Sequence, residues 1–254
     1  PDMSESKKTV LCIFCNERGP LSREDVTSNW IGRTLGKEPG GTWINTAGKI
    51  SGGDKPVTKQ TQHKTASVFK VPVVCVDCNT QWMSRLDNAV RPSLGPMIVG
   101  RVPGHLTREQ LDLLAAWALM KAIVYDAMDR RALPPEVGHR FFVGRTPEPA
   151  DLVLLGRWEA PAEHPTRQIL MKWVTYWDHL GVVEAVRAVI LVFTFGQALL
   201  QVGIPVTPPP EGMIPEHPPP GDDLILCWPP REGSAVWPPP LPITERWRGW
   251  PVRF

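Results

Sequence analysis

The sequence predicts an α+β protein: an N-terminal module stapled by paired cysteines, then a long helix, then an antiparallel sheet wrapped by a Pro/Trp-rich tail. Three observations predict it. Cys12-Ile-Phe-Cys15 and Cys75-Val-Asp-Cys78 use four of the five cysteines. The stretch from Arg108 to Asp129 is apolar on more than one helical face, as a central buried helix is. From Asp151 onward, apolar and β-branched runs alternate with turn residues at strand-like lengths.

Two C-x-x-C pairs are what a tetrahedral four-thiolate zinc site requires, because each tight turn points two sulfurs inward. A dithiol or disulfide pair is the competing reading of the same spacing. The predicted ligands are Cys12, Cys15, Cys75 and Cys78, holding structural Zn²⁺. Cys227 stands apart and reads as a small buried hydrophobe.

The first cysteine pair is predicted to end a strand over residues 9–15, followed by a turn at Asn16 to Pro20. Ser22 reads as a helix N-cap with Asp25 three residues on, an acidic form of the capping box. Val26, Trp30, Ile31 and Leu35 follow at helical spacing, and Gly36 ends the run. Residues 38–64 are rich in Gly, Thr and Lys and read as an exposed hairpin or loop. Ala66 to Val76 reads as a strand that Pro72 assigns to an edge. Asn79 to Val90 reads as a helix ended by Pro92 and Pro96.

Thr107 and Gln110 form a capping box for the long helix, and Pro134-Pro135 stops the segment after it. The predicted strands are Leu152–Trp158, Gln168–Trp177, Val182–Phe195 and Ala198–Val202, with Gly181 and Gly196 at turns. They form a four-stranded antiparallel sheet. From Pro205 to the end lie 15 of the 29 prolines, among them Trp228-Pro-Pro, Trp237-Pro-Pro-Pro and Trp250-Pro. Proline excludes central strands there, and the tryptophans imply a tail packed on the body. The expected division is a module at 9–100 and a helix-plus-sheet domain with the Pro-rich segment at 101–254.

The net charge of +2 is unevenly spread. Residues 1–106 carry 14 Lys+Arg against 9 Asp+Glu, and the remainder 14 against 17. The cysteine-bearing part is the basic part, a mild bias towards a polyanion partner. No run of apolar residues is long enough for a membrane span. Pro1 to Lys8 is too polar for a secretory signal, and Met3 reads as the natural start. Reduced cysteines at zinc spacing fit a cytoplasmic location.

The two cysteine pairs are separated by 59 residues, more than a minimal zinc ribbon needs. Leu21-Ser-Arg-Glu24-Asp25-Val26, then Trp30, lie between them; Asn79-Thr-Gln-Trp82-Met83-Ser84-Arg85-Leu86 follows the second. This order resembles HNH nucleases of the ββα-metal class, and more narrowly a zinc-knuckle HNH group of actinobacteria and their phages. There the middle motif reads LSxEHV and the second knuckle CNxGWMS. Trp117-Ala-Leu-Met-Lys-Ala-Ile resembles that group's WAxKTA helix, and the Trp-Pro-Pro of the tail is shared.

The resemblance implies a ββα module acting on nucleic acid. Glu24 takes the position of the ligand to a catalytic Mg²⁺ or Mn²⁺, Asp25 that of the histidine general base, and Asn79 that of the knuckle-side metal or phosphate residue. A hard divalent cation takes oxygen ligands and stabilises charge on the phosphate. The chain departs from the family at the base: an ordinary Asp titrates near pH 4, about 2.5 units below His. Asp25 is therefore a weaker base, or a second metal ligand beside Glu24. His63 is the one histidine between the knuckles, and its polar neighbours favour a plain surface role. Glu24 and Asp25 read more plainly as an acidic first turn, and Asn79 as a cap. Lys49, Lys55, Lys59, Lys64 and Arg85 are the candidate phosphate contacts, with a solvated surface as their plain reading. The expected partner is DNA, with RNA as the other nucleic acid. The alternative is a catalytically inactive HNH-derived binder of nucleic acid or of a host protein, in which zinc is structural only.

Overall fold

The computed structural model describes residues 11–25, 27–36, 42–47, 57–62, 70–101, 104–128, 132–159, 170–177, 186–206, 222–230 and 233–243. The chain mixes helix and sheet. At its centre lies α4 (Arg108–Met128), begun by the expected capping box. The Gln110 side chain accepts from the Thr107 N–H at 2.9 Å, and Thr107 Oγ1 accepts from the Gln110 N–H at 3.3 Å. Every residue from Leu114 to Asp126 is buried, so this helix has no solvent face along its middle.

The sheet on which α4 rests has the order β10-β6-β9-β8-β7, antiparallel throughout. Its strands are β6 (Leu152–Arg157), β7 (Leu170–Trp177), β8 (Val186–Phe195), β9 (Ala198–Pro205) and β10 (Leu224–Trp228). The four expected strands are present within a few residues, and β10 is a fifth. The Pro-rich tail supplies it at the sheet edge beside β6, where proline nearby removes no ladder bond. Alternation along β8 and β9 sends Val189, Leu191, Phe193, Leu200 and Val202 into the main core with α4. The opposite face is also buried: Val192 and Leu199 pack with Trp158 and Ile243, and Leu152 and Leu154 with Leu226. The β8–β9 turn needs Gly196. Its φ is +55°, and a Cβ there would lie 2.1 Å from the Ile98 carbonyl oxygen. Gly181 lies outside the described residues.

The N-terminal end differs from expectation in three places. Leu11 to Cys15 forms a turn, not a strand; Thr9 and Val10 lie outside the described residues. Ser22 is not a helix cap. Residues Leu21–Asp25 form strand β1, which pairs antiparallel with β4 (Lys70–Cys75). Ser22 Oγ donates across the pair to the Val74 carbonyl at 3.0 Å, so long-range pairing outweighs the local capping pattern. Between Ser22 and Glu24 the register shifts: two steps on β1 face three on β4, at Pro72, which has no N–H to give. The first helix, α1 (Asn29–Leu35), starts after Ser28 and ends at Gly36 as expected.

Third, Pro92 and Pro96 do not end a helix. A short α2 (Val76–Cys78), a π turn (Asn79–Met83) and α3 (Ser84–Ile98) run on continuously, with both prolines inside α3. Val90, Leu94, Met97 and Ile98 are buried on either side of them, and this burial carries the helix past the missing donors. Likewise Pro135 opens helix α5 (Pro135–Gly144), because a proline in the first helical turn lacks only an N–H that would be unbonded anyway. Strands β2 (Thr42–Ala47) and β3 (Val57–Gln62) pair as the expected hairpin. Strand β5 (Gly104–Leu106) pairs with β11 (Ala235–Trp237), tying the tail to the entry of α4. The main buried cluster runs from Cys12 through α4 to Trp237. Among the described residues no helix is long and apolar enough to cross a membrane.

Candidate metal centre

The first cysteine pair sits in a tight turn. The Cys12 carbonyl accepts from the Asn16 N–H at 3.1 Å, and Asn16 closes the turn at φ 63°, a left-handed conformation that asparagine tolerates. The Ile13 N–H donates to the Val73 carbonyl at 3.0 Å, which fastens this turn to β4. The second pair sits where β4 enters α2. The Cys75 N–H donates to Cys12 Sγ at 3.3 Å, and the Cys78 N–H to Cys75 Sγ at 3.4 Å. Backbone donors thus point at sulfur, which favours thiolate.

The four sulfurs of Cys12, Cys15, Cys75 and Cys78 lie within 4.8 Å of one another. Cys15 and Cys75 are 3.6 Å apart, and none of the four is in a disulfide. Zinc–sulfur bonds of about 2.3 Å in a tetrahedron put sulfurs about 3.8 Å apart, so the residues fit a zinc ion. Burial pushes the Cys15 thiol up to about 11 and raises Cys78 as well. Burial also acts to raise Cys12, but the N–H groups of Cys75, Phe14 and Cys15 bring it below its usual value. A cation would offset the cost of burying these charges. Among the described residues, no other group of three or more His, Cys, Asp or Glu side chains gathers in this way.

Around the sulfurs stands an aromatic collar. Phe14 meets Trp82 edge-on at 5.0 Å, and Trp82 meets Phe141 at 5.9 Å. Arg145 lies over the rings of Trp82 and Phe142, at 4.2 and 4.0 Å. Helix α5 comes close because Gly138 lets it: a Cβ there would be 2.1 Å from the Ile13 carbonyl oxygen. Beside it, His139 Nδ1 is 3.0 Å from the Phe14 carbonyl oxygen.

The residues expected at a second metal go to separate partners. Glu24 is buried on β1, and its Oε1 accepts from Lys121 Nζ at 2.8 Å. Asn79 is half-buried in the first turn after the second knuckle and donates to Ser22 Oγ at 2.9 Å. Asp25 ends β1, with Lys70 as its Cα partner. Arg85 is exposed on α3. Lys59 belongs to β3, paired with Asn45. Lys49, Lys55, Lys64 and His63 lie outside the described residues. Cys227 is fully buried, as expected, and burial pushes its thiol up to about 12.

Sequence reasoning missed the group around Lys121. Ser28 Oγ donates to Asp87 Oδ1 at 2.8 Å, Trp117 Nε1 donates to the same oxygen at 2.5 Å, and Lys121 Nζ stands 4.0 Å from Asp87 Oδ2. The signal was present: a lysine in mid-helix among residues apolar on every side must find a carboxylate.

No protein-family profile, curated protein or solved structure matches this chain.

Proposed function

We propose that the chain is a zinc-stapled nucleic-acid-binding protein of the HNH type with a degenerate nuclease site, and that its ligand is DNA, or RNA by the same phosphate chemistry. The observation that carries the reading is the four-cysteine cluster at the foot of the β1–β4 pair, from which a helix departs with Asn79 in its first turn. The antiparallel β1–β4 pair, with Glu24-Asp25 ending β1 and a helix following β4, agrees with a ββα arrangement in which α1, β2 and β3 are inserted between the two strands. The surface agrees with a polyanion ligand: Arg23, Lys70, Arg85 and Arg91 are exposed on this end of the protein. Asp25 in the place of a histidine is a poor base at neutral pH, which favours binding over cutting.

The test is fluorescence anisotropy with labelled duplex and single-stranded DNA and RNA at several salt concentrations, beside a plasmid-nicking assay in Mg²⁺ and Mn²⁺. Binding that weakens linearly in log salt is expected, with no nicking by the wild type. Nicking that disappears in Glu24→Ala would instead establish a working nuclease. Nicking gained in Asp25→His would show that only the base was lost. No affinity for any nucleic acid would sink the reading and leave a protein partner as the ligand to seek.

A further inference from the structure

The catalytic divalent cation implied by the HNH resemblance does not fit at Glu24. This carboxylate already holds a cation. Its Oε1 accepts from the Lys121 ammonium at 2.8 Å, and the lysine side chain is 1% exposed against 7% for the glutamate. On its other side the ammonium faces Asp87 Oδ2 at 4.0 Å. Asp87 is itself fixed, by Ser28 Oγ at 2.8 and 3.0 Å and by the Trp117 indole N–H at 2.5 Å. Strand β1, the entry of α1, α3 and α4 thus each contribute to one group, buried at Glu24 and Lys121 and half-buried at Asp87. Trp117 and Lys121 are four residues apart on α4, so one helix face delivers both. A Mg²⁺ or Mn²⁺ on Glu24 Oε1 would stand no more than about 5 Å from the ammonium, and one on the other oxygen no more than about 7 Å, where burial of both side chains strengthens the repulsion.

The burial that excludes a metal also excludes a catalytic lysine, because a substrate phosphate cannot reach a side chain 1% exposed.

We propose that Lys121 is a tethered internal cation that fills the Glu24–Asp87 carboxylate pocket in place of a divalent ion, so that the pocket holds no Mg²⁺ or Mn²⁺ until the ammonium is removed. The inference rests on the reading of Glu24 as the position of the metal-binding acid. It gives the stretch from Trp117 to Lys121, which the sequence offers only as a resemblance, a physical role in compensating two carboxylates inside the protein. Removing the ammonium takes a full positive charge from beside the buried Glu24 carboxylate and the hydrogen-bonded Asp87, a demand for another cation.

The experiment is a Mn²⁺ titration followed by electron paramagnetic resonance, on the zinc-loaded full chain. Wild type, Glu24→Gln, Lys121→Met and the double variant Glu24→Gln/Lys121→Met are compared. Wild type and Glu24→Gln should leave the free Mn²⁺ signal equally undiminished. Lys121→Met should take up one Mn²⁺ per chain, or fold only when Mn²⁺ is supplied, and the double variant should lose that uptake. The proposal is overturned if wild type binds a Mn²⁺ that Glu24→Gln abolishes, or if Lys121→Met folds without Mn²⁺ and binds none. Should Lys121→Met fail to fold even with Mn²⁺, that too counts against a convertible pocket. Anisotropy on the same wild-type sample keeps the outcomes apart. Loss of nucleic-acid affinity there would remove the functional reading and leave the internal cation standing.

Discussion

The chain contains two antiparallel strand systems held together by different means. The β1–β4 pair is two strands wide, with a bulge at Pro72. A two-stranded ribbon is marginal in water by itself. Here one end is tied by the four cysteines, and the other carries Glu24 into its pairing with Lys121. The larger sheet needs no such ties, because apolar side chains of β6, β8, β9 and β10 are buried on both of its faces. The comparison teaches that the N-terminal end depends on specific polar atoms, where one lost partner is costly. The sheet depends on area, spread over many residues.

Removing the metal should break the comparison open most widely. Structural zinc in small modules contributes an apparent 10–16 kcal/mol or so. The protein should carry one zinc per chain. Chelation, or Cys75→Ser, should strip hydrogen-exchange protection from β1 and β4 while β8 and β9 keep theirs. Equal loss in both sheets would show one cooperative unit and end the distinction.

Two glycine substitutions sharpen it. Gly196→Ala forces a left-handed residue and drives a Cβ to within 2.1 Å of the Ile98 carbonyl oxygen, so it should cost about 3 kcal/mol in urea unfolding with zinc content unchanged. Gly138→Ala meets the Ile13 carbonyl at the same 2.1 Å, but this contact supports the first knuckle, so it should speed zinc release to a chelator. If both variants lose zinc equally fast, the two regions are not separable.

A pH-dependent effect belongs to the entry of the sheet. Asp151, just before β6, is buried, and burial pushes its carboxyl up to about 7. Its Oδ2 accepts from the Glu148 N–H at 2.8 Å. An unfolded aspartate titrates near 4. Between those values the folded chain holds a proton that the unfolded chain has released. This group's contribution to stability therefore falls as pH rises from about 4 to about 7, by up to about 1.4 kcal/mol per unit, and is flat above. Asp151→Asn keeps the acceptor without the charge. The variant should gain on wild type steadily across that window, as read from denaturation midpoints at each pH. A constant difference would show that Asp151 does not titrate there.

Much of the body was legible in the sequence, because local patterns and tertiary packing ask for the same thing there. Thr107 and Gln110 cap α4 as their spacing says, and the strands fall where alternation and Gly196 put them. The N-terminal end was legible in its chemistry and not in its elements. The spacing of Cys12, Cys15, Cys75 and Cys78 is enough to point to four sulfurs gathered where they could hold a metal ion, since each short turn fixes two sulfurs wherever it occurs. The same stretch carries a capping pattern at Ser22 that loses to strand pairing with a partner more than fifty residues away. Pro92, Pro96 and Pro135 read as helix stops because their cost is local; only the packed apolar faces around them decide that helix continues or begins.

By itself, then, the sequence determined the mix of helix and sheet, the four cysteines able to hold a metal ion and the long buried helix. Each follows from residue types at spacings of a turn or less. The tertiary structure alone decided the fate of Glu24. Whether that carboxylate meets a divalent ion or an ammonium depends on which side chain a distant helix brings to it. Lys121, 97 residues further along the chain, arrives there because α4 packs with β4 and α3 in one core. A buried charge takes the partner that packing supplies, and no local pattern in the sequence names that partner.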